Sequence, residues 1–319
     1  MRKRILITGG TGFLGKRLAL ALKNDHDVFL SGRNNSQNMA AERFTGCPVL
    51  PLDVARIDSV RDAMVETRPD VVVHAAATKY VDLAEKQPFE CIDVNVLGSE
   101  NVARVALERG IETLVGISTD KAAPPADNVY AMTKALMERL FCALDRQGST
   151  KFVCVRFGNL PWSTGSVLPE WRRMHEKTGV IQTTGPDMRR FFITVDEAVQ
   201  LVLTAIEHAD ELRGTVVTRA MKAALIGDIL DLWIADKGGS WERIARRPGD
   251  RDDESIMGEA ERPYARVAEF NSAKHYVIAF DQRAKAVLDD GMSSADAPRM
   301  SDEEIRAILN NPPSAEELQ

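Results

Sequence analysis

The stretch from Gly116 to Lys134, GISTDKAAPPADNVYAMTK, contains polar side chains whose types and spacing suit acid–base chemistry. Tyr130 and Lys134 are four residues apart, which places them on one face of a helix. Because an ammonium beside a phenol favours the phenolate, Lys134 is expected to lower the pKa of Tyr130 and make it a base near neutral pH. Thr119, at the end of the preceding predicted strand, can hydrogen-bond the substrate hydroxyl whose proton Tyr130 would remove.

The elements that must position these residues alternate between strands and helices from residue 3 to about residue 157. Nearly continuous apolar runs are typical of strands buried on both faces of a parallel sheet, and here they read RILIT, DVFLS, PVLPLD, DVVVHAA, TLVGIS and FVCVRF. Apolar residues recur at helical spacing between them, in GFLGKRLALALKN, DSVRDAMVET, PFECIDVNVLGSENVARVALERG and YAMTKALMERLFCALDRQG. This alternation predicts the α/β class, with a doubly wound (Rossmann) parallel sheet.

The rhythm changes after residue 157, and three regions are predicted. Residues 1–157 form the Rossmann domain that carries the catalytic side chains. Residues 158–290 form mainly a smaller C-terminal substrate-binding lobe, with the helix TVDEAVQLVLTAIEH and with segments that return to the Rossmann domain. Residues 291–319 form a polar C-terminal tail with one short amphipathic helix, SDEEIRAIL, and a frayed end.

A glycine-rich turn, ITGGTGFLG, follows the first predicted strand and opens a helix. Gly9 allows the tight turn, Gly12 lets the backbone approach a pyrophosphate, and Gly15 permits close helix packing. The helix N-terminus attracts phosphate charge. In this context the pattern indicates a dinucleotide site. With such a cofactor, Thr119, Tyr130 and Lys134 would move a hydride between a carbinol and nicotinamide.

The second predicted strand ends in FLSGRNN, which contains no acidic residue to accept bonds from a ribose 2′-hydroxyl. Arg33, beside Ser31 and Asn34, could instead clamp a 2′-phosphate, so NADP is favoured over NAD. Asp53, after the third strand, could bond the adenine amino group. His74 has only apolar neighbours in sequence and is interpreted as a packed or capping histidine.

Composition excludes several classes of protein. With a net charge of -6, the chain lacks the basic excess of a nucleic-acid scaffold. Cysteines 47, 91, 142 and 154 show no paired spacing, so neither a zinc site nor a disulfide framework is indicated and a reducing cytoplasm fits best. The N-terminal apolar run is too short for a signal peptide, and no run approaches the length of a membrane span.

The chain resembles an extended short-chain dehydrogenase/reductase, and more narrowly the inverting UDP-N-acetylglucosamine 4,6-dehydratase and polysaccharide-biosynthesis dehydratase group. The motifs that carry the resemblance are ITGGTGFLGK, HAAATKYVDLAEKQPFECIDVNVLGSENV, STDKA, YAMTK, VRFGN, GSVLP and MRRFFITVDEAV. It implies that Lys121 takes the sugar C5 proton and Asp120 assists loss of water, before hydride returns to C6 with no net cofactor consumption. Lys121 would need a lowered pKa, for which burial and nearby Lys79 or Lys134 are the expected causes.

Further roles follow from the resemblance. Lys79 and Asn159 would line the sugar and diphosphate, while Arg190 would hold the diphosphate. The remaining predicted substrate contacts are Ser166, Val167, Arg247 and Glu254. The predicted cofactor contacts are Thr8, Gly9, Gly12, Phe13, Leu14, Gly15, Ser31, Arg33, Asn34, Asp53, Val54, Ala75, Ala76, Ala77, Lys79, Asn95, Tyr130 and Lys134. The chain departs from the family pattern in GNLPWSTGS, where Pro161 and Trp162 replace small residues, and in RRPGDRDDE.

The resemblance thus predicts an NADP-dependent nucleotide-sugar 4,6-dehydratase, a lyase that inverts at C5 and acts on UDP-N-acetylglucosamine or a related UDP-sugar. One alternative is a nucleotide-sugar 4-epimerase or ketoreductase that uses only Thr119, Tyr130 and Lys134. Another is a non-catalytic, cofactor-binding regulatory protein. A homo-oligomer is expected, with the long helices before and after the STDKA motif as interface elements.

Overall fold

The fold was analysed in a computed structural model, which describes residues 1–246, 249–288 and 292–318. In the first half of the chain, strands alternate with helices. The strands are β1 (Arg4–Thr8), β2 (Asp27–Gly32), β3 (Val49–Pro51), β4 (Val71–His74), β5 (Thr113–Ile117) and β6 (Lys151–Val155). The α-helices are α1 (Phe13–Leu22), α2 (Asn35–Thr45), α3 (Ile57–Thr67), α4 (Val81–Lys86), α5 (Pro88–Ile92), α6 (Gly98–Arg109) and α7 (Val129–Leu144).

The second half mixes helices with strands of several sheets. Its helices are α8 (Val167–Thr178), α9 (Val195–Glu207), α10 (Ala209–Leu212), α11 (Ile226–Lys237), α12 (Asp302–Leu309) and α13 (Ala315–Leu318). Its strands are β7 (Val180–Thr183), β8 (Arg189–Phe192), β9 (Thr215–Arg219), β10 (Lys222–Leu225), β11 (Ser240–Arg243), β12 (Ala265–Phe270) and β13 (Ala273–Ile278). Of these helices, α9 packs on the main sheet and α8 and α11 pack on small two-stranded sheets.

The main sheet confirms the predicted doubly wound fold. Its strand order is β12-β13-β9-β6-β5-β4-β1-β2-β3, and the strands from β3 to β9 are parallel. The apolar runs form this sheet because helices cover both faces, and every residue of β4 is buried. The strand order switches between β1 and β4: β2 and β3 lie on one side of β1, and β4, β5 and β6 lie on the other. The carboxyl ends of β1 and β4 therefore open a crevice suited to a ligand.

The region after residue 157 is divided between the two parts of the molecule. β9, β13 and β12 extend the main sheet, whereas β10 pairs with β8 and β11 pairs with β7 in two small sheets. A second core lies beneath the small sheets and includes Trp162, Trp171 and Trp233. The division into a Rossmann domain and a substrate-binding lobe stays a prediction.

Three local expectations differ from the structure. Residues 35–45 form α2, a helix that the sequence analysis missed because its polar residues carry no clear apolar period. The predicted long helix from residue 88 includes one π-helical turn, Asp93–Leu97. The tail contains the predicted amphipathic helix as α12, whose Ile305 and Leu309 are buried, and the Trp162 indole donates a hydrogen bond of 2.7 Å to the Ile308 carbonyl. The end expected to be frayed forms α13 in its described part, and the buried Glu317 of α13 pairs with Arg17.

Among the residues that the structure describes, no helix is both long and apolar enough to cross a membrane. All four cysteine side chains are buried and are not joined in disulfides.

Candidate active site

A cleft of about 1300 Å³ runs along the carboxyl edge of the sheet, from the glycine turn to α8. It lies where the switch in strand order predicts a ligand crevice. Most of the predicted site residues line it: Gly9, Gly12, Phe13, Leu14, Gly15, Arg33, Asn34, Val54, Ala75, Ala76, Ala77, Lys79, Thr119, Lys121, Tyr130, Lys134, Asn159, Ser166, Val167, Arg190 and Glu254. Arg247 falls outside the described residues.

The glycine turn meets the steric requirements of a diphosphate cradle. At Gly9, where φ is 66°, a Cβ would lie 2.6 Å from the Ala76 nitrogen, and at Gly15 a Cβ would lie 2.5 Å from the Gly10 Cα. Helix α1 begins after Gly12 with no side-chain cap and no acidic residue in its first turn. Its first N–H groups are therefore available to an anion, which fits a dinucleotide.

The predicted contacts for the adenosine end are only partly brought together. Arg33 lines the cleft and lies 3.5 Å from the Glu90 carboxylate, and Asn34 caps α2. Ser31 does not line the cleft, because its side chain lies within the sheet and its hydroxyl is 3.4 Å from the Ile7 carbonyl. The expected contact from Ser31 is therefore wrong.

Two other predicted contacts are engaged by the protein's own backbone. Asp53 does not line the cleft, and its Oδ1 accepts a hydrogen bond of 3.1 Å from the Ala55 N–H. Asn95 is buried and uses both ends of its amide on the Thr78 backbone, at 2.8 and 2.9 Å. Asn95 therefore fixes the end of the segment Ala75–Ala77, which lines the cleft and which we call the alanine wall, and does not line the cleft itself.

A buried hydrogen-bond chain supports the alanine wall from behind. Thr8, also absent from the cleft lining, bonds the His74 ring at 2.8 Å, and the other ring nitrogen lies 3.0 Å from the Ser99 hydroxyl. Burial and then the charge of Lys134 lower the pKa of His74 to about 3, so its ring is neutral. The interpretation of His74 as a packed residue is confirmed, while Ser99 had no sequence signal beyond its helical position.

The residues predicted to take part in hydride transfer follow β5 and lie on α7. Thr119 follows β5, and α7 starts after Asn128, whose side chain accepts a hydrogen bond of 2.8 Å from the Ala131 N–H. This cap fixes the first turn of α7 and hence the position of Tyr130 at the cleft. Lys134, one turn further along α7, is buried.

The expected effect of Lys134 on Tyr130 is wrong for these side-chain positions. Burial raises the pKa of Tyr130 to about 12, and the charge of Lys121 opposes this rise. Burial also lowers the pKa of Lys134 to about 8, and its Nζ lies 3.0 Å from the Met137 sulfur. The cation that favours the Tyr130 phenolate is therefore Lys121.

The acid–ammonium pair is extended by residues distant in sequence. The Lys121 Nζ lies 3.2 Å from Asp120 Oδ1 and 3.5 Å from Glu254 Oε1, and Glu254 Oε1 is 3.8 Å from the Arg190 Nε. Burial lowers the pKa of Lys121, but the charges of Asp120 and Glu254 outweigh burial and raise it above its usual value. The expected lowering of the Lys121 pKa is therefore wrong.

Asp120 lies behind Lys121 and does not line the cleft. Its side chain is 1% exposed, and its Oδ1 accepts a hydrogen bond of 2.9 Å from the Thr119 hydroxyl. Lys79 and Lys134, the two cations expected to lower the pKa of Lys121, do not determine it. The ionisable groups that act on the Lys121 pKa are Asp120, Glu254, Arg190 and Tyr130.

The predicted substrate contacts line the far half of the cleft. The Asn159 amide nitrogen donates to the Phe191 carbonyl at 3.0 Å, which leaves its oxygen free of that bond. The Ser166 hydroxyl is buried and has no partner among the described residues. Although much of Lys79 is accessible from the cleft, desolvation by the surrounding protein lowers its pKa to about 8.

Sequence reasoning missed Tyr80, whose ring lies against Gly165 across the cleft. A Cβ at Gly165 would be 2.1 Å from the Tyr80 ring. The only sequence signal was an aromatic residue directly after Lys79.

Residues 5–274 match a family model described as "Polysaccharide biosynthesis protein". The chain belongs to this family. Its predicted place in the extended short-chain dehydrogenase/reductase group of dehydratases and epimerases is thereby confirmed.

Relatives of this family member carry different names. A Methanocaldococcus jannaschii protein named "Uncharacterized membrane protein MJ1061" is 35% identical over 284 residues, which are 81% of each chain. The UDP-glucose 4-epimerase of Rickettsia felis is 31% identical over 335 aligned residues, covering 97% of this chain and 96% of that one. The solved structure of Pen from Bacillus thuringiensis superposes with a TM-score of 0.88 at 27% identity, covering 100% of this chain and 98% of Pen. The comparisons support a nucleotide-sugar enzyme without separating dehydration from epimerisation.

Proposed function

We propose that this protein is a nucleotide-sugar 4,6-dehydratase. The observation that carries the proposal is the Asp120–Lys121 pair, whose Lys121 ammonium lines the cleft with Thr119 and Tyr130. Epimerisation at C4 needs only hydride transfer and proton transfer at the C4 hydroxyl, whereas loss of water across C5 and C6 also needs a base at C5 and an acid at the C6 hydroxyl. Lys121 and Glu254 place an ammonium and a carboxylate in the cleft lining, so one acid and one base are available there.

The remaining roles belong to residues around this pair. A bound nicotinamide dinucleotide would supply the hydride acceptor at C4 and the donor at C6. Tyr130 would take the proton from the C4 hydroxyl, while Thr119 would bond the same oxygen. Arg190 would attract the diphosphate, with Asn159 and Ser166 near the nucleotide end. We favour UDP-N-acetylglucosamine as substrate, inversion at C5 and a cytoplasmic location.

The second candidate is a nucleotide-sugar 4-epimerase. It is favoured by the Rickettsia felis relative, whose printed name is UDP-glucose 4-epimerase and which spans nearly the whole chain.

Incubation with UDP-, dTDP-, GDP- and CDP-sugars in deuterated water, followed by mass spectrometry and proton NMR, tests the proposal. A dehydratase gives a product lighter by one water with deuterium at C5. An epimerase gives a product of unchanged composition with an altered C4. If no sugar in the panel loses water, the proposal is contradicted.

Arg33→Ala is expected to weaken binding of NADP by about tenfold to a hundredfold and to change binding of NAD little. The loss corresponds to one charge-assisted bond to the 2′-phosphate, worth about 1.5–3 kcal/mol. Isothermal titration with each dinucleotide measures both affinities. As the control, Glu90→Gln removes the carboxylate near Arg33 and should not weaken NADP binding. Equal losses for NADP and NAD in the Arg33 variant would show that Arg33 does not read the 2′-phosphate.

The proposed homo-oligomer would form through an apolar face on α5, the π-helical turn and α7, which pack against one another. We call this the α5/α7 face; its exposed apolar residues are Phe89, Ile92, Leu97, Met132 and Leu136. Exposed apolar side chains grouped on helices that pack together are typical of an interface, and a second copy related by a two-fold axis would cover them.

Leu136→Asp is expected to convert the oligomer to a monomer, because it buries an unpaired charge in that interface. Size-exclusion chromatography with light scattering measures the mass. Val65→Asp places the same charge on an exposed apolar site of α3 and should leave the mass unchanged. A monomeric wild type would contradict the proposed interface.

A further inference from the structure

A second cavity, separate from the cleft, has a volume of about 390 Å³ and lies between α8, α11 and the end of α12. We call it the α8/α11 cavity. Helix α8 borders both spaces: Trp171 and Met174 line the cleft, whereas Arg172 and His175 line the α8/α11 cavity. No residue of the described chain lines both. The volume is in the range of sites that hold a small organic ligand.

Two buried hydrogen-bond donors at this cavity have no partner within the described residues. Trp233 of α11 is 1% exposed, and its indole N–H donates to no atom of the described chain. The Nη2 of Arg172 is buried in the same state. Buried polar atoms in native proteins are nearly always bonded to protein, water or a ligand. Because both residues line the α8/α11 cavity, an acceptor bound there can satisfy both donors.

The lining also carries positive charge that is not paired. The Arg172 guanidinium lies over the Trp162 ring, 4.2 Å from its centroid, and the Lys237 ammonium is 5.5 Å from the centroid of the Trp233 ring. Neither cation forms an ion pair with a carboxylate of residues 1–246, 249–288 or 292–318. Guanidinium, ammonium and indole groups donate hydrogen bonds and accept none. A ligand that meets all three must therefore be an acceptor, and the two cations favour an anion.

One carboxylate of the lining opposes an anion. Glu176 lies on α8, four residues after Arg172, and its exposed side chain also lines the cavity. The ring of His175 does not add a free donor at its Nε2, which donates to the Gly238 carbonyl at 2.9 Å. The lining therefore has two cations against one carboxylate, and removal of the Glu176 charge should strengthen the attraction for an anion.

We propose that the α8/α11 cavity is a binding site for a phosphate group, held by Arg172, Lys237 and the indole N–H of Trp233. A phosphate monoester carries a charge of about −1.5 to −2 at neutral pH and has three strong acceptor oxygens. It can accept from all three donors and balance both cations, whereas a neutral acceptor balances neither. Leu309 and Pro312 add apolar surface to the lining, which suits the organic part of a phosphate ester. Binding at this site is independent of the reaction proposed for the cleft.

NMR of ¹⁵N-labelled indole groups makes the site observable, because the chain has only four tryptophans. Addition of inorganic phosphate or of glucose 6-phosphate should shift the Trp233 indole signal, which is assigned by its loss in Trp233→Phe. Trp241 is an internal control, since its indole N–H donates to Asp231 at 2.9 Å and it lines neither cavity. Sodium chloride at the same ionic strength should shift neither signal. The tighter of the two phosphates identifies the source of the group as the free ion or an ester.

Substitutions in the lining give the expected size and sign of the effect. Arg172→Met should weaken phosphate binding by about tenfold to a hundredfold, which is the loss of one charge-assisted bond. Lys237 is exposed, so Lys237→Met provides a second weakened variant if Arg172→Met fails to fold. Glu176→Gln should tighten binding. Lys177→Met removes a positive charge from α8 outside both cavities and should leave the affinity unchanged.

Phosphate can also bind in the cleft, near Arg190, and variants distinguish the two places. Arg190→Met should leave the phosphate-induced shift of the Trp233 signal in place, because Arg190 lines only the cleft. A Trp233 signal that neither phosphate moves would mean that water alone satisfies these donors, and the proposal would be overturned. A shift that persists in both Arg172→Met and Lys237→Met but disappears in Arg190→Met would overturn it as well.

Discussion

Tyr130→Phe is expected to slow oxidation at C4 by about a hundredfold to ten-thousandfold, the usual contribution of a positioned acid–base group. The variant keeps the ring and loses only the hydroxyl that accepts the substrate proton. The glycine turn and the alanine wall are untouched, so cofactor binding should remain. Single-turnover absorbance of the reduced cofactor measures the oxidation step, and a titration of the cofactor measures binding.

The pH dependence of this step has a defined sign. Only the phenolate accepts a proton, and burial raises the pKa of Tyr130 to about 12. C4 oxidation by the wild type should therefore rise with pH across the neutral and alkaline range, and the Tyr130→Phe variant should lose this dependence. Tyr264→Phe, outside the cleft lining, is the matched control and should keep both rate and profile. A Tyr130→Phe enzyme with the wild-type rate would exclude Tyr130 as the base.

The parts of the site that were predictable from sequence are those encoded by local spacing. The glycine turn requires Gly9 and Gly15 because a Cβ at either position would meet backbone atoms within 3 Å. Tyr130 and Lys134 share a helix, and Thr119 follows the strand before it. Each of these placements depends on one strand or helix and its neighbour, which apolar periodicity specifies.

The parts that could not be predicted depend on contacts between distant segments. Sequence predicts Glu254 only as a substrate contact, and the fold brings it to Lys121. Ser31 and Asn95 lie close in sequence to cofactor positions, yet their side chains turn to Ile7 and Thr78. The electrostatic environment was missed for the same reason, since the pKa of a buried group is set by its spatial neighbours.

The tail shows a related limit. Its sequence predicts the amphipathic helix α12 but not where that helix docks, and Ile305 and Leu309 of α12 pack into the tryptophan-rich core. Trp162, which departs from the family motif, supplies the hydrogen bond to the end of that helix. Packing between the loop that carries Trp162 and the C-terminal tail therefore explains why a tryptophan stands at this position.

Arg156→Met is expected to lower the free energy of unfolding by about 3–5 kcal/mol, because it leaves two carboxylates uncompensated in the interior. The Arg156 side chain is fully buried, with Glu138 of α7 at 2.6 Å and Glu261 at 2.8 Å. It also donates to the Ile256 carbonyl at 2.9 Å. This cluster joins the helix that carries Tyr130 to the segment that follows Glu254. Urea denaturation followed by circular dichroism measures the loss.

The loss should shrink as pH falls. Without the guanidinium the interior holds two uncompensated carboxylates, and protonation removes this buried charge, so the deficit should be smaller at acid pH than at neutral pH. Adding Glu138→Gln and Glu261→Gln to Arg156→Met should recover part of the stability at neutral pH. Arg61→Met breaks an exposed ion pair with Glu108 and should change stability little, because water screens that pair. An Arg156 variant as stable as the Arg61 variant would mean that the buried cluster contributes no more than a surface pair.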